Sequence, residues 1–288
     1  MYKCVKLNKT NFNLFKKLNK RKNEFNSLNK DFFDLYNKAN FIQKFMLKSK
    51  VRLLVDENNY IGYIWTNLDK DRCDINALNI IGDKNLELAY KYLINSINNN
   101  STINYLCESN NYNYNILKKI GFRKESGTIE LKLNLSYKDI DFKYNKELEF
   151  KKLQLNKHEE ARCYLQNEIF KSNNRVPLNL NDIYYDEKQD YYIEGGSIIL
   201  VKNHKYIGYG QIIKEKDYPL IVNFGILEGY RRKGYARDLL YYLLRISREK
   251  GYEKVMIKVD SNNYKALNLY ESIGFKRVVE TCNWQLKK

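Results

Sequence analysis

The sequence predicts an α/β (α+β) chain folded as two tandem domains, and three observations carry that expectation. One order of motifs occurs twice along the 288 residues. Within each occurrence apolar residues recur with a period of two in some stretches and of 3.6 in others, as strands and helices require. The length also suits two compact domains better than one.

The elements follow in the same sequence in each copy: a strand, two helical segments, a hairpin, a further strand, a helix, a strand, a helix and a terminal strand pair. Leu7-Asn8-Lys9 answers Leu155-Asn156-Lys157 at the start of the helical region, with Asn8 and Asn156 as expected N-caps. The hairpin Leu54-Val55 to Tyr60-Ile61-Gly62-Tyr63 answers Leu200-Val201 to Tyr206-Ile207-Gly208-Tyr209. Ile120-Gly121-Phe122 answers Ile273-Gly274-Phe275, and Thr128-x-x-Leu131-x-Leu133 answers Thr281-x-x-Trp284-x-Leu286. In the second copy a helix is expected over about 156–170, with a less regular segment through Tyr192 that Gly195-Gly196 ends. The polar stretch Ser136–Lys146 reads as a short connection, giving domains 1–136 and 147–288.

Composition narrows the function. No apolar run reaches the 18–20 residues a bilayer demands, and no signal-peptide core opens the chain, so a cytoplasmic protein without a membrane partner is expected. Five scattered cysteines with no CxxC pair read as reduced thiols. Two histidines, His158 and His204, are too few for a histidine metal cluster, and both read as surface residues; no metal is expected. The net charge of +17 would attract acidic partners. Lysine, asparagine and tyrosine are spread along the whole chain rather than gathered in a patch, which argues against nucleic acid as the main partner.

The stretch with chemistry in it is Gly229-Tyr-Arg-Arg-Lys-Gly-Tyr-Ala236. An apolar strand precedes it. An amphipathic helix follows, with Ala236, Leu239, Leu240, Leu243 and Leu244 on one face and Gly251 closing it. A helix start offers unpaired N–H groups and partial positive charge, and glycine permits close approach, so phosphate oxygens fit there. The spacing is neither a Walker loop nor a dinucleotide turn.

Arg231-x-x-Gly234-x-Ala236 resembles the pyrophosphate motif of the GCN5-related N-acetyltransferase (GNAT) family. Asn263-x-x-Ala266-x-x-Leu269-Tyr270-x-x-x-Gly274-Phe275 resembles that family's second motif at the right distance. The resemblance covers about residues 149–288. It implies, in each domain, a mixed, mostly antiparallel twisted sheet flanked by helices. It also implies acetyl-CoA as co-substrate and a small-molecule or peptide amine as acceptor, acting in a monomer or homodimer. On this reading Arg231, Arg232, Lys233, Gly234, Tyr235 and Ala236 hold the pyrophosphate. The edge Phe224–Leu227 pairs with pantetheine, an N–H at Ile226 or Leu227 facing the thioester oxygen, and Asn263 caps its helix and contacts CoA. Tyr270 is the expected general acid for the departing thiolate, with a core aromatic as the plain alternative. The motifs single out no general base: Glu215, Asp217 and Glu228 stand near the strand in sequence, and a water chain would also serve.

The first copy departs from both motifs. Its turn, Leu78 to Asn85, lacks the spacing and carries Asp83, and Asn113 and Leu117 stand where the second copy has Ala266 and Tyr270. It is expected to be a degenerate domain. Competing functions are a non-catalytic acyl-CoA-binding or scaffold protein, and an aminoacyl-tRNA-dependent transferase.

Overall fold

The computed structural model describes residues 1–69, 72–82, 85–97, 102–110, 112–135, 142–172, 175–216 and 218–287. These residues form two compact units: Met1–Thr128 with Asp260–Asn262 and Val279–Lys288, and Ile129–Val259 with Asn263–Val278.

In the first unit β1 (Tyr2–Lys6) is followed by α1 (Phe12–Asn19), α2 (Phe32–Tyr36), α3 (Phe41–Ser49), β2 (Val51–Asp56), β3 (Asn59–Asp69), β4 (Arg72–Ile80), α4 (Leu86–Asn95), β5 (Thr102–Glu108) and α5 (Asn113–Lys119). Strand β6 (Arg123–Asn134) runs from the first unit into the second. The second unit continues with β7 (Leu148–Lys152), α6 (Glu159–Ile169), α7 (Leu180–Glu187), β8 (Tyr192–Lys202), β9 (Lys205–Glu215), β10 (Tyr218–Ile226), α8 (Tyr235–Glu249), β11 (Lys254–Asp260) and α9 (Tyr264–Ile273), and β12 (Lys276–Leu286) ends the chain. Strand order is β1-β2-β3-β4-β5-β12 in one unit and β6-β11-β10-β9-β8-β7 in the other. The hairpins pair antiparallel, while β4 with β5 and β10 with β11 pair parallel.

The units differ from the linear division into 1–136 and 147–288. Ile129, Leu131, Leu133 and Leu135 are buried with Leu239, Leu243 and Tyr270 in the core of the second unit. Cys282 and Trp284 are buried with Tyr105, Leu117 and Phe122 in the core of the first. Strand β12 pairs antiparallel with β5 from Thr281–Glu108 to Leu286–Ile103. Each copy therefore lends its final strand to the other copy's sheet. Residues 136–141, within the expected connection, lie outside the described residues, as do Asp83 and Asp217.

Several local expectations are corrected. Each copy ends on one long strand, not a pair. Asn8 closes a turn by accepting from the amides of Thr10 and Asn11, and α1 starts later, at Phe12. Asn156 has φ 62° and stands before the helix, whose N-cap is His158. His158 is buried rather than on the surface; its Nδ1 accepts from the Gln154 amide (3.0 Å), and burial lowers its pKa. Gly195 and Gly196 lie inside β8 at a register shift, since the strand begins at Tyr192. All five cysteines are free thiols.

Candidate active site

The site of the second unit begins in β10. Its register with β9 slips between Val222 and Gly225, forming a bulge at which Asn223 takes φ 50°. Parallel pairing of β10 with β11 covers Leu220–Met256 and Ile221–Ile257. Beyond it the bulged part of β10 has lost that neighbour, leaving a fissure between the strands. Among the described residues no third segment hydrogen-bonds to the backbone of 222–225. The Leu227 N–H is donated to Ile207 O on β9 (2.9 Å). Strand alternation therefore turns the Ile226 N–H the other way, toward the fissure. Of the two expected thioester donors, Ile226 alone is free for that role.

The bulge is held from behind by a buried polar network. Arg162 on α6 is 1% exposed. Its guanidinium donates to Asp186, to Glu187 (3.1 Å) and to Gln211 (3.2 Å). Gln211 in turn accepts from Asn223 Nδ2 (3.1 Å), and Tyr191 donates to Asp186 (2.7 Å). Burial opposes ionisation of Asp186, but the hydrogen bonds from Arg162 and Tyr191 outweigh it and keep this carboxyl below the ordinary aspartate range. Burial raises that of Glu187. Nothing in the periodicity of α6 or α7 marks these residues; only an arginine on the inner face of a helix hints at them.

After β10 a short 3₁₀ turn, Glu228–Tyr230, leads to Gly234 at the N-cap of α8. Gly234 has φ 86°, a left-handed conformation any side chain would strain, and a Cβ built on it would meet no protein atom within 4 Å. Among the described residues the amides of Arg232, Lys233, Gly234, Tyr235 and Ala236 have no acceptor; intrahelical bonding starts with Arg237 N to Gly234 O (2.8 Å). Five acceptor-free amides thus cluster at the positive end of a 15-residue helix, with open space at Gly234. The Arg231 side chain is committed elsewhere: it donates to Ile226 O (2.8 Å) and Ile169 O (3.1 Å), tying the turn to β10 and α6. Lys233 lies over the Tyr230 ring, and the Tyr235 hydroxyl accepts from Lys202 (2.7 Å).

Asn263 caps α9, its side chain accepting from Ala266 N (3.2 Å). The helix ends as its Gly-Phe pair dictates. Gly274 takes φ 102°, the amides of Gly274 and Phe275 return to Tyr270 O, and the Phe275 ring packs 6.0 Å from that of Tyr270. Tyr270 is 5% exposed, its ring 6.1 Å from Phe224 in the bulge. Among the described residues its hydroxyl has no hydrogen-bond partner, and it is not among the fully sealed polar atoms. Burial raises its pKa well above that of a free phenol. A cleft of about 600 Å³ opens between the end of α6 and this turn, lined by Tyr164, Glu168, Lys171, Leu227, Glu228 and Tyr230 among others. Of the candidate bases, Glu228 lines this cleft, whereas Glu215 is paired with Lys258 (2.8 Å).

The first unit has the same splayed parallel pair, filled by its own chain. β4 and β5 pair over Arg72–Asp74 and Thr102–Asn104. Beyond that, Asn29 exchanges hydrogen bonds with the main chain of Leu78, and Lys30 N donates to Asn76 O (2.9 Å). Asn26 bonds Leu106 O (2.8 Å) and Glu108 N (3.0 Å). Phe25, fully buried, packs 4.5 Å from the Tyr90 ring, and its carbonyl accepts from Asn110 and Asn113.

Residues 160–275 match the model of the acetyltransferase (GNAT) family. The chain is 36% identical over 74 residues to the uncharacterized N-acetyltransferase YycN of Bacillus subtilis, covering 24% of this chain and 47% of that protein. It is 38% identical over 60 residues to a mycothiol acetyltransferase of Corynebacterium aurimucosum, covering 21% of this chain and 20% of the relative. The chain thus spans half or less of these curated relatives. A GCN5-related N-acetyltransferase from Sphaerobacter thermophilus shares the fold over 99% of this chain and 95% of its own, with a TM-score of 0.57 at 11% identity.

Proposed function

We propose that the second unit transfers an acetyl group from acetyl-CoA to a primary amine, binding one CoA per chain. The observation that carries this reading is the run of five acceptor-free amides at Arg232–Ala236 around the open position of Gly234, on the turn that follows the bulged strand against which Tyr270 packs. The amides and the helix start would hold the pyrophosphate, with Gly234 leaving room for it. Pantetheine would pair along Phe224–Ile226 as an added strand, and the Ile226 N–H would stabilise charge on the thioester oxygen.

Chemically, the amine nitrogen attacks the acyl carbon and the C–S bond breaks. The thiolate takes its proton from the Tyr270 hydroxyl, the amine's surplus proton leaves toward Glu228 or solvent, and solvent returns a proton to the phenolate. Like any phenol, Tyr270 is protonated at neutral pH, the state a donor needs. The acceptor would enter through the cleft beside Glu228, where Glu168 is already paired with Lys171 (3.6 Å). Five free thiols support a reducing compartment, the cytoplasm. Isothermal titration with acetyl-CoA should give one site, abolished by Gly234→Glu through charge and bulk in the cradle. Thiol release against an amine panel then identifies the acceptor. Two comparable sites, or one that tolerates glutamate at 234, count against the proposal.

A further inference from the structure

Helix α3 of the first unit is mounted inside out. Lys44 Nζ lies 5.4 Å from the Tyr36 ring centroid and Lys48 Nζ 5.8 Å from that of Phe12, so two lysines lie over the aromatic cluster that Leu47 joins. The apolar side faces out: Phe41 is 87% exposed, Ile42 70%, Phe45 71% and Met46 53%, and no residue of the helix is buried. A capping box between Asn40 and Gln43 holds the helix formed, so this exposure is not fraying. A shallow groove of about 380 Å³ continues the apolar face onto Leu35 and Ala39 and is lined also by Lys38 and Lys50. A contiguous apolar face of this kind on a folded unit marks a docking surface.

Charge selects the occupant. From Leu35 to Val55 the chain carries Lys38, Lys44, Lys48, Lys50 and Arg52 and no acidic residue. Among the described residues none of the four lysines forms an ion pair. A second copy related by a two-fold axis would set this positive patch against itself. We propose that α3 docks on an anionic membrane surface. Phe41, Ile42 and Phe45 insert at the boundary of headgroups and acyl chains, a medium that receives projecting side chains without a matching pocket, and Lys38 and Lys50 lie among the lipid phosphates. Among the described residues no helix is long and apolar enough to cross a membrane. The attachment is peripheral, a mode that needs no spanning run.

Sedimentation of the full chain with phosphatidylcholine vesicles, with and without phosphatidylglycerol, tests this. Binding should require phosphatidylglycerol and weaken as salt rises. Phe41→Ser with Phe45→Ser should lower partitioning at least about tenfold, and Lys38→Glu with Lys50→Glu by about as much. Phe41, Phe45 and Lys38 are exposed, and half-buried Lys50 gives up only a surface hydrogen bond to Asn67 (2.7 Å), so circular dichroism and acetyl-CoA titration should stay unchanged. Absence of binding, or binding indifferent to either pair, overturns the proposal. So does a dimer in analytical ultracentrifugation that the serine pair dissolves, which assigns the face to a second copy.

Discussion

The two parallel strand pairs, β4 with β5 and β10 with β11, are the same structure put to opposite uses. Both stop pairing after a few residues and leave backbone groups facing a gap. In the first unit Asn26, Asn29 and Lys30 bond the edges of that gap and Phe25 fills its apolar end. In the second, no segment of the described chain enters, and the helix beyond begins with unpartnered amides. A splayed sheet leaves unmet hydrogen bonds, and folding must satisfy them with the chain itself or leave them for a ligand. Both the degeneracy of the first copy and the CoA site of the second are proposals that this contrast supports.

The comparison breaks most drastically at the exchanged strands. A fragment of residues 137–288 lacks Ile129, Leu131, Leu133 and Leu135, each worth roughly 1.5–3 kcal/mol when buried. That loss is comparable to a whole domain's stability of about 5–15 kcal/mol, so this fragment should fail to fold. A cooperative thermal transition in it would show that β6 is dispensable to the second unit.

Tyr270→Phe tests the open fissure. The ring packing against Phe224 and Phe275 is kept, so stability and CoA affinity should barely change while kcat falls roughly 10²–10⁴-fold. The loss should shrink with acyl donors whose leaving thiols are more acidic. Near-normal turnover would return Tyr270 to the role of a core aromatic.

Phe25→Ala tests the filled one. Removing this fully buried ring should cost the first unit about 3–5 kcal/mol in denaturant unfolding. It should create no second CoA site, because the backbone bonds of Asn26, Asn29 and Lys30 remain. A titration that rises to two sites in this variant would mean that bulk alone closes the gap.

The smallest effect concerns the network behind the bulge. The folded-state pKa of Asp186 lies below its ordinary 3.8, so its contribution is present above that value and lost as pH falls through the lower folded one. Asp186→Asn should therefore flatten the acid limb of the second unit's stability curve below about pH 4. An acid limb unchanged in that variant would assign it to other carboxylates.

Much of this was legible in the residues because the forces involved are local. Periodicity fixed α8 and its apolar face, and Gly251, read as the residue that closes that helix, takes a left-handed φ of 84°. The Gly-Phe pairs at 121–122 and 274–275 both close helices the same way, with Phe122 N returning to Leu117 O as Phe275 N returns to Tyr270 O. The motif read as a family mark is also a helix stop with a physical cause. Three things were decided only in three dimensions. The Arg162 network joins α6, α7, β9 and β10, elements far apart in sequence, through bonds no spacing encodes. The filling of the first gap depends on asparagine side chains that read as ordinary loop residues until β4 and β5 are brought beside them. The strand exchange was hidden because Thr128-x-x-Leu131-x-Leu133 and Thr281-x-x-Trp284-x-Leu286 carry the same alternation. An alternating strand states which of its faces is apolar but not which of two similar sheets it joins; that choice belongs to the packing of the cores.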